Sequence, residues 1–149
     1  MIYLGADHGG YRLKESLKKR LTKERIRFVD CGADMLNPHD DYPAFARAVA
    51  KAVAKSSRHR GIVLCRSGVG VDIVANKTRG VRSVVAADVW LAKRSRRDDN
   101  TNVIALPAER VTGRKAWAIV SAWLDTKYRA TARDTRRLRQ IASIEHAAH

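Results

Sequence analysis

Membrane-length apolar runs, paired cysteines, prolines and aromatic residues are all scarce or missing in this chain. No stretch approaches the roughly 20 consecutive apolar residues that a spanning helix requires, so no membrane partner is expected. The opening "MIYLGADHGG" has neither a basic start nor the long apolar segment of a secretory signal, and a cytoplasmic location is expected. The two cysteines, Cys31 and Cys65, form neither a CxxC pair nor a disulfide framework, which fits a reducing compartment. With three prolines, no Ser-rich linker and no internal repeat, residues 1–149 are expected to form one domain. Aromatic residues make up 6% of the chain and are not interleaved with the basic ones. That argues against a stacking platform for single strands, and nucleic acid is not an expected partner.

Negative charge is in short supply too. Fifteen Asp and Glu stand against 30 Lys and Arg, a net +15. A balance this basic suits a phosphorylated ligand or a polyanion, and suits a merely solvated surface equally well. The cations fall in 11–27, 93–97 and 127–139 rather than in one block.

What the chain does have is alternation. Met1–Gly5 is a short apolar strand ended by "ADHGG", and Leu13, Leu17 and Leu21 recur at i+4 in a helix over Tyr11–Arg25. Ile26–Val29 is a second strand, and 30–41 is a turn-rich loop. Asp41-Tyr42-Pro43 opens a helix carrying Ala46, Val49, Ala50 and Val53 on one stripe. Strand Gly61–Leu64, a helix through Asn76, strand Val81–Ala86, helix Trp90–Arg97, strand Asn102–Leu106 and helix Thr112–Tyr128 follow. A last helix, Arg133–Glu145, is expected to bury Leu138, Ile141 and Ile144. This order predicts an α/β fold: a three-layer, Rossmann-like sandwich around a parallel sheet of about five strands. Ligands of such sheets bind beyond the carboxyl ends of the strands. Asp7-His8 and Cys65 stand at such ends. Asp98-Asp99-Asn100 precedes the fifth strand, at the wrong end of it.

The stretch "GIVLCRSGVGVDIVANK" carries the densest chemistry. Gly68 and Gly70 let backbone approach a ligand, and the N–H groups at the following helix start suit negative charge. A dinucleotide fingerprint fails, because Ile73 stands where a third glycine is needed, and a P-loop fails for want of Gly-Lys-Ser/Thr. Cys65 reads either as a small buried hydrophobe or as a thiolate favoured by the helix-start N–H groups and by Arg66. His8 reads equally as a structural histidine, and Asp7 as a cap of the first helix.

Taken together, "GADHGGYRLKESL", "DYPAFARAVA", "GIVLCRSGVGVDIVANKTRGVRSVV", "DNTNVIAL" and the closing "RDTRR" helix resemble the ribose-5-phosphate isomerase B family, which includes the galactose-6-phosphate isomerase subunits. The likeness runs from about Met1 to Glu145. It implies interconversion of aldose and ketose phosphates through an enediolate, without metal or cofactor. Cys65 matches the base that moves the proton between C1 and C2, and Ser67 a hydroxyl that assists exchange on the substrate oxygens. The backbone of Ser67, Gly68, Val69 and Gly70 matches an anion hole. Asp7 matches an aspartate near the ring oxygen, and Tyr42 lines the site. His8, Arg133 and Arg137 match phosphate ligands, with Arg110 a further candidate. The resemblance also implies a homodimer, or a tetramer, whose site is shared between subunits and whose C-terminal helix packs on the partner.

Four positions depart from the pattern or from some of its members. Asp98 and Asp99 replace a ring-opening histidine and its asparagine neighbour, and a carboxylate that is ionised at neutral pH donates a proton poorly. Both stay candidates for the site. Arg66 stands in place of a glycine, where it shields the loop or adds a cation. Val71 occupies a position where some members carry a glutamate base, which leaves Cys65 for that role. The expected function is isomerisation of a phosphorylated sugar, foremost ribose 5-phosphate to ribulose 5-phosphate. The alternative is a catalytically altered relative that binds sugar phosphate, or a polyanion such as nucleic acid, through its basic surface.

Overall fold

Parallel strands buried on both faces need side chains that satisfy two apolar layers, and the chain supplies them by alternation. The structure, a computed structural model, describes residues 1–147. Five strands, β1 (Ile2–Ala6), β2 (Phe28–Asp30), β3 (Arg60–Cys65), β4 (Ser83–Val85) and β5 (Val103–Pro107), form one sheet in the order β2-β1-β3-β5-β4. Every pairing is parallel. Leu4, Ala6, Ile62, Leu64, Ile104 and Leu106 enter one core with Leu13, Leu17, Ile119 and Trp123. The intervening Val63, Cys65, Val103 and Ala105 enter a second core with Val49, Val53 and Val71. Helices α1 (Tyr11–Lys23), α4 (Val89–Asp99) and α5 (Gly113–Asp125) therefore cover one face, and α2 (Tyr42–Ala54) and α3 (Val69–Asn76) the other. This is the expected three-layer arrangement, with element ends shifted by a few residues.

The connections set the site. From β1 the chain moves outward to β2, and from β3 it moves the opposite way, toward β4. The carboxyl ends of β1 and β3 thus flank the point where strand order reverses, and a crevice opens there because neighbouring loops diverge. Asp7-His8 follow β1, and Cys65 ends β3.

The last helix, α6 (Ala132–Ala147), departs from expectation. Leu138 is half-buried, Ile141 is 40% exposed and Ile144 is 69% exposed. The helix lies beyond β4 at the sheet edge, tied to it by Glu145 and the Gly80 N–H (3.1 Å). Its apolar stripe lines a groove of about 460 Å³ with Leu91 and Val84 and does not enter either core. Periodicity locates such a stripe but not what covers it. None of the described helices is long and apolar enough to cross a membrane.

One charge is fully buried. Lys14 of α1 has no solvent exposure, and its ammonium donates to Asp30 Oδ1 (2.6 Å) and the Ala33 carbonyl (2.7 Å). Lys18 reaches the other oxygen of Asp30 at 2.7 Å. Burial opposes ionisation of Asp30, but the hydrogen bonds from Lys14 and Lys18 outweigh it and hold the carboxyl below its ordinary 3.8. Its ionised form therefore contributes stability above the unfolded-state pKa, and that contribution is lost as pH falls through the lower folded value. Asp30→Ala strands the buried ammonium and should cost about 3–5 kcal/mol, measured by urea unfolding at pH 7. The deficit against the parent should shrink toward pH 3.

Candidate functional site

β3 stops at Cys65 because the next residues turn sharply. Gly68 takes a left-handed conformation (φ 77°) that a side chain resists, and α3 begins at Val69. The turn folds the loop back over the strand end, and the Gly68 N–H donates to the Cys65 sulfur at 3.1 Å. The Val69 N–H donates to Ser67 Oγ at 3.3 Å. Cys65 is 6% exposed, and it lines a cleft of about 520 Å³. The sulfur is therefore both packed and at the lip of an opening, so the two readings of this cysteine are not exclusive.

Two other segments close the cleft. Proline at the second position of α2 starts that helix at Tyr42, whose ring lies on the loop. A Cβ built on Gly70 would stand 2.6 Å from the Tyr42 ring, so only glycine admits this approach. After β1, Asp7 Oδ1 accepts the Gly10 N–H at 3.1 Å and shapes the turn ahead of α1. Its carboxylate thus braces the turn, while the cap position itself belongs to Gly10. His8 faces Asp40 of the 31–41 loop: its backbone N–H donates to Asp40 Oδ1 at 2.8 Å, and its Nδ1 lies 2.8 Å from the same oxygen. The Asp40 hydrogen bond, helped by the charge of Asp7, raises the pKa of His8 above 6.5 and favours imidazolium.

Of the expected site residues, Asp7, His8, Tyr42, Cys65, Arg66, Ser67, Val69 and Gly70 line this one cleft, with Gly68 bonded to its sulfur. Arg66 is exposed and pairs loosely with Glu109 (3.9 Å). Arg110 is exposed in the loop after β5, at the same edge of the sheet but outside the lining. Asp98, Asp99, Arg133 and Arg137 are not brought here. Asp98 and Asp99 end α4, which runs back to the amino-terminal edge of the sheet, about 15–20 Å (one strand length) away. Asp98 is paired there with Arg94 (2.5 Å) and Arg97 (2.7 Å), and the Arg97 hydrogen bond is the chief cause holding its carboxyl below 3.8. Arg133 pairs with Asp134 (3.1 Å), and Arg137 is exposed.

Sequence reasoning missed Asp40. Its loop reads as turns, and no local pattern says that residue 40 will meet residue 8. Among the described residues, no group of three or more His, Cys, Asp or Glu side chains gathers to hold a metal ion.

A family model described as Ribose/Galactose Isomerase matches residues 2–141. The chain belongs to the ribose/galactose isomerase family. Ribose-5-phosphate isomerase B of Mycobacterium tuberculosis (strain H37Rv) is 38% identical over 97% of this chain and 89% of its own length. The Escherichia coli protein of the same name is 37% identical over 97% and 95%. Among solved structures, ribose-5-phosphate isomerase B from Mycoplasma genitalium with bound ribulose-5-phosphate superposes with a TM-score of 0.93 at 34% identity, covering 97% of this chain and 95% of the other. The Clostridium thermocellum structure gives 0.93 at 37% identity over 99% of both chains. Membership in the ribose/galactose isomerase family fits the fold and the loop sequence alike.

The His8–Asp40 pair makes a direct prediction. Asp40→Asn should bring the His8 imidazole back down toward 6.5, read from its ring proton shifts across pH. Because the parent's pair favours imidazolium, the variant should lose the histidine's positive charge at lower pH than the parent does.

Proposed function

We infer that this chain is an aldose–ketose isomerase of phosphorylated sugars, converting ribose 5-phosphate to ribulose 5-phosphate, with Cys65 as base. The observation that carries this reading is the Cys65 sulfur at the lip of the cleft, held by the Gly68 N–H at the start of α3. Proton abstraction next to a carbonyl needs a base within about 3 Å of the carbon acid and donors aimed at the oxygen that gains charge. The sulfur supplies the first and the Ser67–Gly70 backbone the second.

In the open-chain aldose, the sulfur takes the proton from C2, and the bonding electrons pass into the C1–C2 enediolate with charge on the C1 oxygen. The same proton returns from sulfur to C1, while the C2 hydroxyl gives up its proton as the new carbonyl forms. Ser67, whose hydroxyl sits beside the loop, relays the proton from the C2 oxygen to the C1 oxygen. Asp7 meets the ring oxygen, Tyr42 packs the sugar, and His8 as imidazolium attracts the phosphate. No metal or cofactor is required by this scheme.

The phosphate grip of Arg133 and Arg137, and the acids Asp98 and Asp99, belong in this reading to a second copy of the chain. They project from the opposite edge of the sheet, so one copy cannot bring them to its own Cys65, whereas a two-fold partner can. Val69 (51% exposed), Ile73 (54%) and the α6 pair Ile141 and Ile144 are the apolar side chains that such a partner would cover. A remote phosphate grip also fixes the reacting carbons in position. Asp98, doubly ion-paired, accepts a proton far better than it donates one. That assigns ring opening by Asp98, if the cyclic sugar is used, to removal of the anomeric proton.

Two experiments test the reading. Cys65→Ala should lower turnover of ribose 5-phosphate about a thousandfold or more while binding of the sugar phosphate, followed by calorimetry, stays close to the parent. Parental turnover in that variant removes Cys65 from the mechanism. Second, Cys65→Ala and Arg137→Ala chains, each inactive, should recover roughly a quarter of parental activity when co-refolded, because half the dimers then hold one intact site. Recovery stays nil if each site is built from one chain.

A further inference from the structure

A parallel sheet sends every βα connection to one edge and every αβ connection to the other, and the charges of this chain divide accordingly. The loops at the cleft edge (7–10, 31–41, 66–68, 86–88 and 108–112) carry six carboxylates and two arginines. The first three connections at the opposite edge, 24–27, 55–59 and 77–82, carry seven lysines and arginines and one carboxylate, Glu24, and Lys23 at the end of α1 and Arg60 at the start of β3 bring the cations to nine. Glu145 of α6 reaches Gly80 there and adds a second. The last turn of α4 is self-balancing, since Arg96 and Arg97 stand with Asp98 and Asp99. Nine cations against two carboxylates leave a surplus of seven on this edge.

Helix ends do not absorb that surplus. Cations are favoured at helix C-termini, but α1, α2 and α3 each present only about half a negative charge, roughly 1.5 in total. The basic connections also form a row. They lead into β2, β3 and β4, which occupy the first, third and fifth places of the sheet. At about 4.8 Å per strand the row is about 19 Å long with a basic segment near every 10 Å. Most of its cations, among them Arg27, Arg58 and Lys77, are exposed.

The centre of the row is recessed. Arg60 and Arg82 flank a hollow of about 230 Å³ with Ser56, Ser57 and Asn100. Arg60 donates to the Ser57 and His59 carbonyls, Arg82 to the Asn100 carbonyl at 2.8 Å, and Arg96 to the Thr101 carbonyl at 3.1 Å. Among the described residues none of the three is paired with a carboxylate. Burial, and then mutual repulsion, lowers the pKa of Arg96 to about 10, and burial followed by the nearby Arg82 lowers that of Arg60. At Arg82 burial likewise lowers the pKa and the charge of Glu145 offsets part of that, so an anion entering the hollow relieves the repulsion that remains among Arg60, Arg82 and Arg96.

We propose that the row of basic connections leading into β2, β3 and β4 is a second binding surface that takes the phosphate backbone of a nucleic-acid duplex. A row of this length faces about six base pairs at 3.4 Å rise, with the Arg60–Arg82 hollow receiving one phosphate. Exposed aromatic side chains are missing from the three connections, so contact is to the backbone and independent of base sequence. The surface lies a strand length from the Cys65 of its own chain, and its Arg82 end adjoins Asp99, whose carbonyl Arg82 holds at 3.1 Å.

The test uses the full chain and a fluorescein-labelled 20-base-pair DNA duplex, followed by anisotropy. The parent should bind at 50 mM salt, and affinity should fall about a hundredfold or more by 200 mM, as release of several counterions requires. Arg27→Glu/Arg58→Glu/Lys77→Glu should lose at least tenfold in affinity while ribose 5-phosphate turnover and the melting temperature stay near parental values. A control, Arg12→Glu/Arg47→Glu/Arg114→Glu, has the same net charge but alters the starts of α1 and α5 and the middle of α2, and should lose much less. Absence of binding at 50 mM salt, or an equal loss in both triple variants, overturns the proposal. If the first variant misfolds, the Gln substitutions at the same three positions replace it, with the same criterion.

Discussion

The parallel direction of all five strands is the constraint from which the rest follows. It forces each of the helices α1 to α5 to begin at one edge of the sheet and end at the other. One edge therefore collects helix starts, free N–H groups and the carboxyl ends of the strands, and the crevice where strand order reverses must open there. The same geometry denies a single chain any means of bringing residues 98–99 or the start of α6 to that crevice. Direction thus accounts for the helix starts gathered at the cleft and for the absence from it of residues 98–99 and the start of α6.

Within this frame the loop after β3 is built at close tolerance. Gly68 turns the backbone, its N–H holds the sulfur, and Gly70 admits the Tyr42 ring, so three different elements locate one thiol. The cysteine sits in the second core and also lines the cleft, so packing fixes the position of its sulfur at the opening. On the other face the buried Lys14 clamps β2 and the following loop to α1 through Asp30 and the Ala33 carbonyl. That clamp lies on the approach to the 31–41 loop, from which Asp40 meets His8. The charge of the histidine thus rests on a loop anchored by an ion pair well removed from it.

Much of this was legible in the residues. The i+4 leucines of α1, the proline at the start of α2 and the apolar runs of β3 and β5 locate their elements to within a few positions, because burial periodicity is local. The Cys65 loop was legible for the same reason, since strand, turn and helix start are consecutive. Asp40 was not, because its role is a contact across 32 positions that no periodicity encodes. The stripe of α6 was misjudged for a related cause. Leu138, Ile141 and Ile144 recur as a helical face should, but what lies opposite that face depends on where α6 crosses the sheet edge.

The sequence by itself determined the alternation of strands and helices, the two-sided burial of the sheet and the composition of the thiol loop, since each is written in neighbouring residues. Tertiary structure decided which distant residues meet. It placed Asp40 on His8, kept Asp98 and the late arginines away from the cleft, and gathered scattered cations from three connections into one row. Charges spaced some 20 to 30 positions apart read as a diffuse surplus along a chain. Only the common direction of the strands turns them into a single edge.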